Sequence, residues 1–202
     1  RYLQMCAQDN MLVAQPSTPA SYFHLLREHT YTRPRRPLIV FTPKQLLRLK
    51  AACSPVEDFT SGTFQPVIGE TDDAVLASAQ KQGVDRVLLC SGRVYYDLLA
   101  HRTKTGDTST AIVRLEQLYP LESSAIAEAL APFSGAELVW VQDEPANQGM
   151  WPYLALNLPT DLTGGVLPTL ISRPEAAAPA VGTAGLHRAQ QEEILRQAFA
   201  RH

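Results

Sequence analysis

Apolar and polar positions along residues 85–202 repeat a two-part rhythm, a short apolar run followed by a longer amphipathic one. "RVLLCS" (86–91) predicts a strand and "VYYDLLAHR" (94–102) a helix. "TAIVRLEQL" (110–118) predicts a second strand ahead of a helix over "LESSAIAEALAPF" (121–133). "ELVWVQ" (137–142) predicts a third, with a helix over 148–157. "LPTLIS" (167–172) is a fourth, and "GLHRAQQEEILRQAFA" (185–200) a closing helix. Strands alternating with helices of about ten residues predict an α/β domain with a mostly parallel sheet. Residues 1–42 read as strand, helix, strand. "MLVAQP" (11–16) is apolar; Thr18 suits an N-cap with Pro19 at the first helical position. Tyr22, Leu25, Leu26 and His29 then form one stripe at helical spacing. "PLIVF" (37–41) is a continuous run, as expected of a strand buried on both faces. This unit is too short to bury its own faces, so its other strands are expected upstream. Residues 43–84 show weak periodicity: "PKQLLRLKA" suits a short helix, and "SPVEDFTSGTFQPVIGETDD" reads as a connecting segment.

Composition adds a few exclusions. In 202 residues, 45% hydrophobic and 19% charged content is that of a globular protein with a real core. The net charge of −2 gives no general attraction to nucleic acid or anionic membranes. No run approaches the roughly 18 apolar residues of a membrane span. The chain opens "RYLQMCAQDN", without a signal peptide's apolar block and without an initiator methionine, and is read as a fragment. Cys6, Cys53 and Cys90 are few and far apart, which fits a reducing compartment, read as the bacterial cytoplasm in preference to the mitochondrial matrix. Cys90 ends an apolar run and is expected to pack in the core.

Candidate chemistry collects where predicted strands end, since open parallel sheets carry their functional loops at carboxyl ends. Ser91-Gly92-Arg93 lies between strand and helix: a helix start of this kind ordinarily only begins a helix, and the other reading is an anion held on backbone N–H groups with help from Arg93. Arg27, Arg33, Arg35, Arg36, Lys44, Arg48 and Lys50 form a basic cluster relieved by one acid, Glu28. It reads as a solvated face, with a phosphate-bearing effector or carboxylate-rich partner as the alternative. His24 and His29 are five apart and do not make a metal pair; these, His101, His187 and His202 read as surface or packed side chains, and no metal site is expected. Asp143 and Glu144 are adjacent acids at a strand end. Neighbours on an extended strand point to opposite faces, so at most one enters a given cleft. Asn147 and Gln148 add amides, and Gly149 permits positive φ or close approach.

The segments "RYLQMCAQDNM", "QPSTPASYFHLLR", "RRPLIVFTPKQLLR", "GTFQPVIGE", "CSGRVYYDLL", "AIVRLEQLYPL", "VQDEPANQGMW" and "RPEAAAPAVG" together cover essentially the whole chain. In their order and spacing the chain resembles the C-terminal region of the thiamine-diphosphate-dependent 2-oxoglutarate dehydrogenase first component, the α-ketoglutarate decarboxylase family. The resemblance implies that residues 1–42 end a transketolase-like pyrimidine-binding domain, 43–84 connect, and 85–202 form a transketolase C-terminal-like domain. It implies an enzyme of the tricarboxylic acid cycle that decarboxylates 2-oxoglutarate on thiamine diphosphate with Mg²⁺. The succinyl unit then goes to the lipoyl group of a dihydrolipoamide succinyltransferase component. Family members are homodimers, and their cofactor and catalytic residues lie upstream of Arg1, so none is expected in this stretch and the isolated chain is expected to be inactive. Actinobacterial members, which the chain resembles in "VFTPK" and "EPANQG", use acetyl-CoA as activator. Here Glu28 replaces a family arginine, "LESS" (121–124) replaces an arginine-rich run, and Gln117 is retained. An effector site at Gln117, Arg27 and Arg36 is thereby implied, with the effector open between a nucleotide, an acyl-CoA and none. Glu144, Asn147, Gln148 and Gly149 are read as a loop facing a neighbouring domain or subunit. The alternative from another class is a stand-alone, non-catalytic interaction module.

Overall fold

The structure, a computed structural model, describes residues 1–81 and 83–200. Strands β1 (Leu12–Ala14), β2 (Leu38–Val40), β3 (Val67–Ile68), β4 (Arg86–Cys90), β5 (Thr110–Leu115), β6 (Gln117–Tyr119), β7 (Glu137–Pro145) and β8 (Thr169–Arg173) form two sheets. Helices are α1 (Pro19–Tyr31), α2 (Val56–Ser61), α3 (Asp73–Lys81), α4 (Val94–Thr105), α5 (Ser123–Leu130), α6 (Trp151–Asn157) and α7 (Ala184–Ala198).

The larger sheet has the order β3-β5-β4-β7-β8. Its pairs are parallel except for β3, which runs antiparallel along the β5 edge. Period-2 side-chain alternation divides β4 between two cores: Val87 and Leu89 face one way, Leu88 and Cys90 the other. The first core takes Val75 of α3, Ile126 of α5 and Leu154 of α6; the second takes Val94 and Leu98 of α4 with Ile194 and Ala198 of α7. Helices on both faces explain why these strands are continuously apolar. Burial pushes the Cys90 thiol up to about 12, so it packs as a hydrophobe. No helix among the described residues is long and apolar enough to cross a membrane.

The smaller sheet, β2-β1-β6, corrects several expectations. β1, α1 and β2 form the predicted parallel βαβ unit, and Thr18 caps α1 by accepting from the Ser21 N–H at 3.1 Å. Within this chain a third strand joins it from downstream: β6 pairs antiparallel with β1. The single strand predicted over 110–118 is two strands, broken at Glu116, which belong to different sheets. β2 is the half-buried edge of its sheet, not a strand buried on both faces. The buried side of α1 is Ala20, Ser21, His24 and Leu25, so Leu25 holds its predicted place while Tyr22 and Leu26 face outward. Within 43–84, "PKQLLRLKA" forms two 3-10 turns, Lys44–Arg48 and Lys50–Ala52, and the apparent connection also supplies β3 and α3 to the larger sheet's layers. Glu70 anchors that stretch: it is paired with Arg102 of α4, both nearly fully buried, and accepts from the Ile112 N–H at 2.8 Å.

Candidate functional site

The two sheets meet where the chain passes from β5 to β6, and Glu116 is the joint. Its N–H and that of Gln117 both donate to Pro66 O, at 2.9 and 3.0 Å, while its own carbonyl accepts from Gln15 at 2.8 Å. The carboxylate is fully buried: Oε2 accepts from Ser17 N at 2.8 Å and from Ser21 Oγ at 2.6 Å. Ser17 is held from two more sides, by Tyr96 Oη on its carbonyl (2.7 Å) and Arg114 Nη1 on its hydroxyl (3.0 Å). The Arg114 guanidinium lies 4.1 Å from the Tyr95 ring centroid. This network ties the start of α1 to the larger sheet. The sequence signal for it is two charged residues, Arg114 and Glu116, inside an otherwise apolar run.

Above this joint, the carboxyl ends of β1, β4 and β7 surround a cavity of about 230 Å³, lined by Gln15, Ser91, Gln142, Glu144 and Gly149 and by apolar Leu118, Trp140 and Met150. Ser91 Oγ donates to Gln15 Oε1 (3.1 Å) and to Leu115 O (2.9 Å), bridging the sheets. Gly92 has φ +64, and a Cβ there would sit 2.6 Å from Gln15 Nε2. The helix start is thus covered, and Arg93 is committed elsewhere: Nε and Nη2 donate to the two Asp143 oxygens at 3.0 and 2.8 Å, and Nη1 donates to Asp97 at 2.6 Å. The anion-site reading of this turn gives way to an ion-pair anchor.

Asp143 and Glu144 point to opposite sides, as their spacing requires. Asp143 is locked to Arg93; Glu144 lines the cavity. Burial pushes the Glu144 carboxyl above the ordinary carboxylate range; its own backbone N–H, Arg93 and Arg173 lower it in part, while Asp143 raises it further. The surrounding loop is organised by Gln142, whose importance the sequence reading missed. Its Oε1 accepts from Trp140 Nε1 (2.9 Å) and Trp151 N (3.0 Å), and its Nε2 donates to Pro145 O (3.0 Å) and Gln148 O (2.8 Å). Gly149 has φ +68, and a Cβ there would meet Gln142 Oε1 at 2.9 Å. Asn147 exchanges two 3.1 Å hydrogen bonds with the backbone of Ala176, and Gln148 Nε2 donates to the same carbonyl at 2.8 Å. These amides fasten the segment after β8, at Ala176, of their own chain. Trp151 packs against the core, and Tyr153 meets Tyr119 edge-on at 6.0 Å.

Of the expected effector set, Gln117 is buried on β6 and donates to Pro120 O at 2.8 Å. Arg27 is exposed on α1; Arg36 is half-exposed, 4.0 Å from Asp9. No hydrogen bond or ion pair joins the three among the described residues. Most of the basic cluster is exposed, with Arg33 donating to the carbonyls of Thr30 and Thr32. His24 is buried with Nε2 2.7 Å from Asp58 O, and His101 stacks on Phe199 at 4.7 Å; His202 lies outside the described residues. Among the described residues no three Asp, Glu, His or Cys side chains gather as a cation site. With Asp143 and Glu116 committed as above, the side chains present do not fit a magnesium–diphosphate site, and no chemical step is derived through one.

Comparison with known proteins follows the same lines. A family model described as 2-oxoglutarate dehydrogenase C-terminal matches residues 53–199. The chain is 45% identical over 202 residues to the 2-oxoglutarate dehydrogenase E1 component of Cupriavidus necator, covering 100% of this chain and 21% of that protein. It is 45% identical over 201 residues to the 2-oxoglutarate dehydrogenase E1/E2 component of Corynebacterium glutamicum, covering 98% of this chain and 16% of that one. It is also 46% identical over 207 residues to the multifunctional 2-oxoglutarate metabolism enzyme of Mycobacterium sp. strain JLS, covering 99% and 16%. The chain spans about a fifth or less of the length of these relatives.

Proposed function

The chain belongs to the 2-oxoglutarate dehydrogenase E1 component family, and on that footing we propose that it is the C-terminal part of an enzyme that decarboxylates 2-oxoglutarate on thiamine diphosphate and passes the succinyl unit to a lipoyl group. In this reading the smaller sheet ends the domain that meets the cofactor's pyrimidine, and the larger sheet is the transketolase C-terminal-like domain. The cofactor and Mg²⁺ are held elsewhere in the longer protein, which works as a homodimer with a succinyltransferase partner. This stretch contributes architecture. The observation that carries the reading is the commitment of the strand-end polar groups: Ser91, Arg93, Gln142, Asp143, Asn147 and Gln148 all hydrogen-bond within the chain. A catalytic centre keeps its reactive groups available to substrate instead.

The effector reading rests on Arg27 and the exposed cations of 33–50, which suit phosphate groups. Gln117 keeps its side-chain oxygen for such a site while its amide nitrogen donates to Pro120 O. Titrating the longer enzyme with AMP and with acetyl-CoA, beside Arg27→Ala and Gln117→Ala variants, tests it: a response lost in Arg27→Ala supports the site, and no response to either effector reduces the cluster to a solvated face.

The test of the main reading is thiamine-diphosphate-dependent decarboxylation of 2-oxoglutarate by the longer protein and by the isolated chain. Turnover by the former alone is expected; turnover by the isolated chain contradicts it.

A further inference from the structure

The turn that leads into β1 is built against local preference. Gln8 and Asp9 have φ values of +54° and +52°, the two non-glycine residues with positive φ among the described residues. Consecutive left-handed residues are ordinarily supplied by asparagine and glycine, because a Cβ crowds the following carbonyl. Here the conformation is imposed by the surroundings. Asn10 N–H donates to Ala7 O at 3.0 Å, and Asn10 Oδ1 accepts from the Ala7 N–H at 3.1 Å. Asn10 Nδ2 donates to Met5 O at 3.0 Å, and the Asp9 N–H donates to Tyr119 Oη at 2.9 Å. Backbone strain held this firmly is a pointer to function.

The side chain that this turn places is the Asp9 carboxylate. β1 and β2 run side by side, and Leu12 N–H donates to Pro37 O at 2.8 Å. The turn before β1 therefore lies beside the segment before β2, which carries Arg33, Arg35 and Arg36. Asp9 Oδ2 stands 4.0 Å from Arg36 Nη1, an ion pair between two partly exposed side chains that is too long for a hydrogen bond. Of the arginines and lysines between residues 27 and 50, Arg36 alone has a carboxylate within ion-pair distance among the described residues. That carboxylate is not Glu28, the acid inside the cluster, but one brought to it by a strained turn.

Resting on the effector reading above, we propose that Asp9 is a built-in competitor for that site: its carboxylate occupies Arg36 where the phosphate group of an effector binds, and binding displaces it. A phosphate brings more negative charge and three acceptor oxygens, and makes the hydrogen bonds to Arg36 that the stretched Asp9 pair does not. Displacement also lets the turn leave its left-handed conformation, so the strain at Gln8 and Asp9 favours release. The Tyr119 hydroxyl opposes release by holding the Asp9 N–H. Tyr119 lies on β6, two residues after Gln117, so the turn and the expected effector residue share one strand. An exposed ion pair contributes little, so the contact raises the effector threshold by about threefold and does not act as an all-or-none switch.

The experiment titrates the longer protein, saturated with thiamine diphosphate and Mg²⁺, with inorganic phosphate at constant ionic strength, and reads affinity from the thermal midpoint. Asp9→Asn removes the competing charge, Tyr119→Phe loosens the turn without changing any charge, and Arg36→Ala removes the contested cation. Phosphate bound about threefold more tightly by Asp9→Asn, and more tightly by Tyr119→Phe, with neither gain surviving in the Arg36→Ala background, supports the competitor. Binding that is lost in Arg36→Ala but unmoved by Asp9→Asn overturns the competitor and leaves the effector reading standing. A gain in Asp9→Asn alone, or one that persists without Arg36, reduces Asp9 to an ordinary surface charge and overturns it as well. No phosphate binding in any form overturns both. Turnover of 2-oxoglutarate reports separately on the family reading.

Discussion

Gln142 and Gly149 form a lock in which each requires the other. Replacing Gln142 with leucine removes the acceptor for Trp140 Nε1 and Trp151 N and the donor to two carbonyls. Stranded buried groups cost about 1–3 kcal/mol each, so Gln142→Leu is expected to lose about 3 kcal/mol in urea unfolding. Gly149→Ala combines a left-handed backbone, worth about 1–2 kcal/mol, with crowding of the Gln142 amide, and a similar loss is expected. A change below about 0.5 kcal/mol in either variant, the range of an ordinary surface substitution, contradicts the lock. The glycine was legible in the sequence, because a turn after a strand offers few other reasons for it. The opposed directions of Asp143 and Glu144 were legible too, from strand periodicity alone. The role of Gln142 was not, since its partners are mostly backbone groups that only the folded loop brings together.

Among the elements, the β5–β6 break departs most from the sequence pattern. Apolar content continues through Glu116, and a period-2 pattern does not record that a strand has changed sheets. What breaks it is non-local: Pro66 O takes both N–H groups at the turn, and Ser17 and Ser21 take the carboxylate. β3 escaped notice for a related reason, being two residues long on a sheet edge. The capped start of α1 and the four parallel strands were legible, because caps and buried runs are local signals. If Glu116 is the joint, Glu116→Ala should cost about 3 kcal/mol, as breaking a buried charged network does. Amide hydrogen exchange should show the loss first at Ser17 and the start of α1. Unchanged exchange there would mean that the two sheets are held together by their shared apolar core alone.

As a whole molecule, the chain is one apolar core running through both sheets, a second under α4 and α7, and a small third beneath α1. Its polar strand-end side chains Ser91, Arg93, Gln142, Asp143, Asn147 and Gln148 bond within the chain. That distribution is what supports the proposed architectural role, in a chain that covers about a fifth or less of its relatives. The α/β class and the family were legible because eight segments agree in order and spacing. That internal bonding was not, because it depends on which side chains meet across elements. The most direct test is 2-oxoglutarate decarboxylation with thiamine diphosphate and Mg²⁺, comparing the longer protein with the isolated 202-residue chain at equal concentration. The account predicts turnover by the longer protein and none by the isolated chain. Turnover by the isolated chain, or a folded longer protein that leaves 2-oxoglutarate untouched, would contradict it.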